Sequence, residues 1–148
     1  MKELIQAVLV EPGQPARRVL IENDRDGIRS LIGGMGLSIS HPWDDEVALL
    51  CHAYNWSHDP MNRVIIKNDN SFHSMVSGKF LLVKHDVEGM DFESLPKELV
   101  RKYLLKFSVP DTFNYLDNGL LEVNHHEIHE ERIEETKNKE ENENDEHC

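Results

Sequence analysis

The polar segment of residues 55–63 holds the side chains of this 148-residue chain that are best suited to recognising another molecule. Trp56 offers a large, flat surface, and tryptophan is enriched among the contacts that dominate protein interfaces. Asn62 can read an amide or a base edge, and Arg63 carries a planar fork that matches a carboxylate or a phosphate. Trp43, in an earlier polar loop, is a second aromatic of this kind. The pattern predicts a binding surface formed by Trp56, Asn62, Arg63 and Trp43.

A structural role for the same residues is the competing interpretation. Asn62 can hydrogen-bond a turn, and Arg63 can pair with Asp59 or with the acidic run at 44–46. The two tryptophans can pack in the core or against loops instead of stacking on a partner. The sequence leaves both interpretations open.

A histidine-rich segment near the C-terminus suggests metal chemistry. On a helix, His125 and His129 would lie one turn apart, a spacing that can chelate zinc, nickel or copper. The zincin pattern is absent, because His126 and Glu127 would need a histidine at the position of Glu130. A catalytic zinc also needs a third ligand in a dry pocket. We therefore expect a solvated, charged segment and no cofactor, with His125 and His129 as weak metal candidates.

The remaining chemistry-bearing residues do not assemble into a catalytic set. Cys51 and His52 are neighbours on a predicted strand, so their side chains point to opposite faces and cannot line one site without distortion. The glycines within 33–36 follow a predicted helix, whereas a phosphate-binding loop precedes its helix. We expect a structural cysteine, a glycine helix cap, no catalytic residues and hence no enzyme.

Negative charge is concentrated at the C-terminal end. The formal net charge is −12, and residues 122–148 contribute −8 of it, with three basic against 11 acidic residues. Nucleic-acid phosphates are bound by lysine and arginine, so direct nucleic-acid binding is not expected.

No run approaches the ~20 apolar residues of a membrane span, and we expect no signal peptide. With only Cys51 and Cys148, we expect a cytoplasmic protein without a disulfide framework.

Hydrophobic periodicity predicts strands over 3–11, 17–22, 37–40, 47–51, 64–66 and 79–84, and an irregular segment over 68–74. A first helix should start at an Asn23 or Asp24 cap and end at the 33–36 glycines, and a second should start at a Ser94 cap and run to Phe107. This β-β-α-β-β-β-β-α order has hairpin-length connections. It predicts an α+β domain in which two helices pack on a mostly antiparallel sheet.

The predicted domain spans 1–117, and an acidic tail rich in His and Glu spans 118–148. Asn118 and Gly119 predict a turn at this boundary. Residues 120–139 are expected to be partly helical, because Glu135 and Lys139 form a favourable i,i+4 pair. Residues 140–148 are almost wholly polar and are expected to be disordered.

Several segments, taken in order, resemble a known family. They are 8–13 (VLVEPG), 31–34 (LIGG), 47–50 (VALL), 60–63 (PMNR), 77–83 (SGKFLLV) and 91–95 (DFESL). The set is similar to the bacterial and phage family catalogued as domain of unknown function 3846. An Asn-Glu-Glu-Gly run of that family is replaced here by 51–55 (CHAYN), so no role of those acids carries over. The resemblance implies a small accessory protein of phages, plasmids or other mobile elements, and it implies no reaction.

Three functions fit these observations. The first is a non-catalytic protein that binds a host protein, for example to blunt a defence system. The second is a small-ligand binder that captures a signalling nucleotide between Arg63 and an aromatic side chain. In the third, the acidic tail mimics DNA phosphates and occupies a basic groove on a host enzyme. Homo-oligomerisation is compatible with all three, and no membrane partner is expected.

Overall fold

The computed structural model describes residues 3–33, 36–52, 59–85 and 91–129. Their elements follow in the order β1 (Leu4–Val10), β2 (Arg17–Glu22), α1 (Arg25–Ile32), β3 (Leu37–Ser40), β4 (Val47–His52), β5 (Met61–Ile66), β6 (Phe72–Ser77), β7 (Phe80–Lys84), α2 (Lys97–Lys106), β8 (Thr112–Tyr115) and β9 (Leu121–Asn124). Neither described helix, at 8 and 10 residues, has the length and apolar character needed to cross a membrane.

Five strands form the central sheet in the order β2-β1-β7-β4-β3, and each neighbouring pair is antiparallel. β1, β4 and β7 read as nearly continuous apolar runs because both faces of the sheet are covered. Alternate residues of each run therefore enter opposite cores. Two separate hairpins, β5–β6 and β8–β9, complete the described fold.

The two helices lie on opposite faces of this sheet. α1 contributes Ile28 and Ile32 to one core. α2 contributes Val100 and Tyr103 to the other core, which also receives Ile65 from the β5–β6 hairpin. The predicted α+β fold, a mostly antiparallel sheet with two helices packed on it, is confirmed.

The ends of α1 follow the predicted capping chemistry. The Asp24 side chain accepts a hydrogen bond from the backbone N–H of Asp26 at 3.2 Å. At the other end, Gly33 takes the left-handed conformation (φ 79°), and its N–H points at the carbonyls of Arg29 and Ser30.

The Ser94 cap predicted for α2 is wrong. α2 begins at Lys97, and its N-cap position is Pro96, which offers no side-chain hydrogen bond. Ser94 instead accepts a hydrogen bond from the backbone N–H of Gln6 at 2.9 Å. The cap was predicted because a serine precedes an apolar helical pattern. In the structure the Ser94 hydroxyl bonds a backbone N–H of β1, far away in sequence, instead of an N–H of α2.

Two features of the β5–β6 hairpin differ from the prediction. β5 begins at Met61 rather than Val64, so Asn62 and Arg63 lie inside a strand instead of a loop. β6 starts within the segment predicted to be irregular. Only Val76 and Ser77 of β6 are buried, so this strand lacks the apolar alternation by which strands are recognised.

The β8–β9 hairpin was not predicted, and it crosses the predicted domain boundary. The turn at Gly119 is confirmed, since its N–H donates to the carbonyl of Leu116 at 2.9 Å. Leu121–Asn124, within the segment predicted to be partly helical, is a strand because it pairs with β8. Residues 130–148, including those predicted to be disordered, lie outside the described residues.

Candidate binding surface

Arg63 lies in the interior, where its guanidinium joins three parts of the chain. One terminal nitrogen donates to the backbone carbonyl and side-chain oxygen of Asn62, at 3.2 and 2.8 Å. The other donates to the carbonyls of Gln14 and Phe107, at 2.5 and 3.2 Å. Burial lowers the pKa of Arg63, and the charge of Asp111 opposes that effect. The side chain is 0 % exposed, so the expectation of an accessible Arg63 is wrong.

Asn62 is also buried, and both ends of its amide are bonded. The amide nitrogen donates to the carbonyls of Val10 and Gly78, at 2.9 and 2.7 Å, while the oxygen accepts from Arg63. Asn62 and Arg63 therefore have the structural role that the competing interpretation predicts, but the partners of Arg63 differ. It donates to backbone carbonyls and to the Asn62 side chain instead of pairing with Asp59 or the acidic run at 44–46.

The two tryptophans have different outcomes. Trp43 is buried, lies 4.9 Å from the Tyr103 ring between ring centroids, and donates from Nε1 to the carbonyl of Ile66 at 3.0 Å. Trp43 therefore packs in the core beside α2, as the structural interpretation predicts, and does not lie on the predicted binding surface. Trp56 lies outside the described residues, so partner binding by Trp56 stays a prediction.

Cys51 has the character of a structural cysteine. Burial raises the pKa of its thiol, and a hydrogen bond with Ser38 opposes the rise only in part. A thiol with a raised pKa carries little thiolate at neutral pH and is a poor nucleophile. His52 is half-buried on the opposite face of β4.

Asp111, to which no sequence pattern pointed, connects the hairpin to the core. Its carboxylate is fully buried. One oxygen accepts from the backbone N–H of Val64 and from Nδ1 of His125, each at 2.8 Å. The other oxygen accepts from the backbone N–H of His126 at 2.6 Å. A single carboxylate after a proline carries no recognisable motif, which is why only the fold reveals this role.

The histidine-rich segment is organised by Glu127 rather than by a metal spacing. Nε2 of His125 and Nε2 of His129 each lie 2.9 Å from a different oxygen of Glu127. Lys106 donates to the same carboxylate. The segment is not helical, so the one-turn spacing that suggested a metal site does not exist. In the described part of the chain no group of three or more His, Cys, Asp or Glu is arranged to hold a metal ion.

Both ring nitrogens of His125 face carboxylates, an arrangement that favours its charged form. Burial alone lowers the pKa of His125, but hydrogen bonds to Asp111 and Glu127 and their charges outweigh burial and raise it. For Glu127, burial raises the pKa, and the contacts with Lys106 and His125 outweigh burial and lower it. The two groups therefore stabilise each other's charged states.

The β8–β9 hairpin exposes several large apolar side chains at its turn, the kind of residue that can form a binding surface. Tyr115, Leu116 and Leu120, around its turn, are 76 %, 41 % and 63 % exposed. An open groove of about 820 Å³ runs beside β8 and is also lined by Pro12 and Met61. Residues 107–129 contain no lysine or arginine, whereas they contain the carboxylates of Asp111, Asp117, Glu122 and Glu127.

A second cleft, of about 560 Å³, lies between the turn after β5 and α2. Three lysines line it, Lys67, Lys102 and Lys106, together with Glu98 and Glu127. Lys102 is paired with Asp45 at 3.1 Å and Lys106 with Glu127. Most of the positive charge in this cleft is therefore already neutralised.

We predict that Arg63→Met lowers the free energy of unfolding by about 3 kcal/mol, because it leaves the buried carbonyls of Gln14 and Phe107 without this donor and removes a positive charge near the buried carboxylate of Asp111. Urea unfolding monitored by circular dichroism measures the change. Arg17→Met is the control. Arg17 forms an exposed ion pair with Glu11, so its loss should change stability by less than about 1 kcal/mol. Similar values for the two variants would contradict the structural role of Arg63.

We predict that His125→Gln flattens the decline of stability at alkaline pH. A pKa raised in the folded state stabilises fully below the ordinary value of 6.5, and this stabilisation is lost as the pH rises through the raised pKa. The melting temperature of the wild type should therefore fall more between about pH 6 and about pH 9. His73→Gln is the control. Burial lowers the pKa of His73, so this residue affects stability at acid pH, and the alkaline decline of this variant should match that of the wild type. Equal declines in wild type and His125→Gln would refute the prediction.

Comparison with known proteins places the folded core in a family. The family model described as Domain of unknown function (DUF3846) matches residues 5–108, which cover the central sheet, the β5–β6 hairpin and both helices. The β8–β9 hairpin lies beyond the matched range. No curated protein and no solved structure was found to match the chain. The chain belongs to the DUF3846 family, as the resemblance of its ordered segments predicted.

Proposed function

We propose that this protein is a non-catalytic binding protein that engages a partner protein through its β8–β9 hairpin. The observation that carries the proposal is the exposure of Tyr115, Leu116 and Leu120 at the turn. Tyrosine is a frequent anchor of protein interfaces because a large rigid ring contributes contact area at low entropic cost. A two-stranded hairpin is marginal in isolation, so its apolar turn is most simply explained by a partner that covers it.

The position of the hairpin in the chain supports the same proposal. The polar residues best suited to recognition inside the family domain, Asn62 and Arg63, are occupied by internal hydrogen bonds. The hairpin lies beyond the region matched by the family model, so it can give this chain a partner of its own. Its base is held by Asp111, which gives the exposed turn a defined direction.

The charge of the hairpin supports a partner with a basic surface. The segment carries Asp117 and Glu122 near the apolar turn and no basic residue. A matching surface is an apolar pocket with lysine or arginine at its rim, since complementary charges raise the association rate and reject wrong partners. The partner that we propose is a protein of the host cell, such as a cytoplasmic defence protein, bound by this protein as an accessory factor of a phage or mobile element.

We predict that Tyr115→Ser combined with Leu120→Ser weakens partner binding at least tenfold, as expected when interface anchors are removed. The partner is first recovered with tagged wild-type protein from the native host, and its affinity for each purified variant is then measured by calorimetry. Phe72→Ser is the control, because Phe72 is equally exposed, at 62 %, on the separate β5–β6 hairpin. It should leave the affinity unchanged.

Two further measurements separate this proposal from the alternatives. Deleting residues 130–148 keeps β9 and should preserve binding, whereas a DNA-mimic tail requires that loss of these residues abolishes it. A signalling nucleotide that raised the melting temperature would instead favour a small-ligand binder. The lysine-lined cleft is the place for such a ligand, because the Arg63 guanidinium is enclosed. An unchanged affinity in the Tyr115 and Leu120 double variant would rule out the hairpin as the binding element.

A further inference from the structure

β2 is an edge strand whose outer side is open. It is the terminal strand of the five-stranded sheet and pairs only with β1 in the described structure. Among the described segments, the outward-pointing backbone groups of Arg18 and Leu20 have no backbone partner, whereas the carbonyl of Glu22 accepts from the N–H of Asp24 at 2.8 Å. Such an edge can accept another strand, and soluble proteins usually shield it.

One face of this edge exposes apolar side chains. Leu20 and Leu4 are each 58 % exposed. In the β1–β2 register Leu20 lies opposite Gln6 and Leu4 lies opposite Glu22, so both leucines are on the same face of the sheet. Arg18 and Glu22 flank Leu20 on that face, two residues to either side.

Backbone geometry restricts how two copies of β2 can pair antiparallel. Residues directly opposite each other must both direct their N–H and C=O groups toward the partner strand or both away from it. Only residues of the same parity can therefore face each other, which excludes every second register. In one allowed register Leu20 faces Leu20 of the second copy, Arg18 faces Glu22, and Val19 faces Ile21 on the other side of the sheet.

The neighbouring allowed registers are poorer. A shift in one direction sets Arg18 opposite Leu20, and a shift in the other sets Leu20 opposite Glu22. Both lose the charge pairs and the leucine pair, although matched cross-strand pairs are what stabilise a sheet. The opposite edge strand, β3, has the sequence Leu-Ser-Ile-Ser and offers no charged pair.

We propose that β2 pairs antiparallel with β2 of a second copy of this chain, with Leu20 on the two-fold axis. The sheets of the two copies then form one continuous ten-stranded sheet with a self-complementary interface. Two Arg18–Glu22 pairs specify the register. Within its own copy, Nε of Arg18 donates to the side-chain oxygen of Gln6, which lies on the same face of the sheet. This interface is separate from the hairpin proposed to bind a partner protein.

Sedimentation equilibrium of the full chain, from low micromolar to near-millimolar concentration, tests the proposal. The wild type should show a reversible monomer–dimer equilibrium. Arg18→Glu or Glu22→Arg alone places like charges opposite each other and should weaken dimerisation about tenfold or more. The two substitutions together restore opposite charges and should recover dimerisation. Lys97→Glu is the matched control, since it makes the same charge change at an exposed site on α2.

Disulfide trapping tests the register itself. In a Cys148→Ser background, Leu20→Cys should form a covalent dimer on oxidation, because directly opposite Cα atoms in an antiparallel pair lie ~4.5–5.5 Å apart, within disulfide range. Arg18→Cys lies off the two-fold axis and should remain unlinked, as should Leu120→Cys on the β8–β9 hairpin. A chain that stays monomeric throughout, a double charge reversal that fails to restore the dimer, or no trapping at position 20 would each overturn the proposal.

Discussion

The buried guanidinium of Arg63 is the interaction on which the arrangement of this protein depends. It brings together β5, the turn before β2 and the end of α2 by donating to Asn62, Gln14 and Phe107. Burying a cation costs free energy unless it is neutralised and hydrogen-bonded. Separation of these segments would leave the guanidinium without its acceptors and would therefore be unfavourable. Asp111 supplies the nearby negative charge.

Asp111 extends this polar network from the core to the C-terminal segment. Its carboxylate joins β5 to the residues after β9 through Val64, His125 and His126. Glu127 and Lys106 continue the chain of charged contacts onto α2. The residues that look most reactive in the sequence are therefore used to hold segments together. Within the described residues, the apolar turn of β8–β9 and the outer edge of β2 remain exposed, and both proposals rest on these two features.

Local sequence was sufficient for much of the fold. Apolar runs identified β1, β4 and β7, because strands covered on both faces need apolar side chains at nearly every position. An Asn23 or Asp24 cap and the 33–36 glycines predicted the ends of α1, because capping acts within one helical turn. The structure places the caps at Asp24 and Gly33. β6, β8 and β9 were missed because they are mostly exposed hairpin strands, which bury too few side chains to produce a periodic pattern.

The sequence by itself determined the fold class, the family, the acidic C-terminal charge and the approximate ends of α1, all of which depend on composition or on neighbours in the chain. Only the tertiary structure decided that Asn62, Arg63 and Trp43 are internal. The partners of Arg63 at Gln14 and Phe107 are 49 and 44 residues away along the chain. A polar side chain can be buried when the fold places enough hydrogen-bond partners around it. Because these partners come from distant parts of the chain, no local sequence pattern predicts the burial.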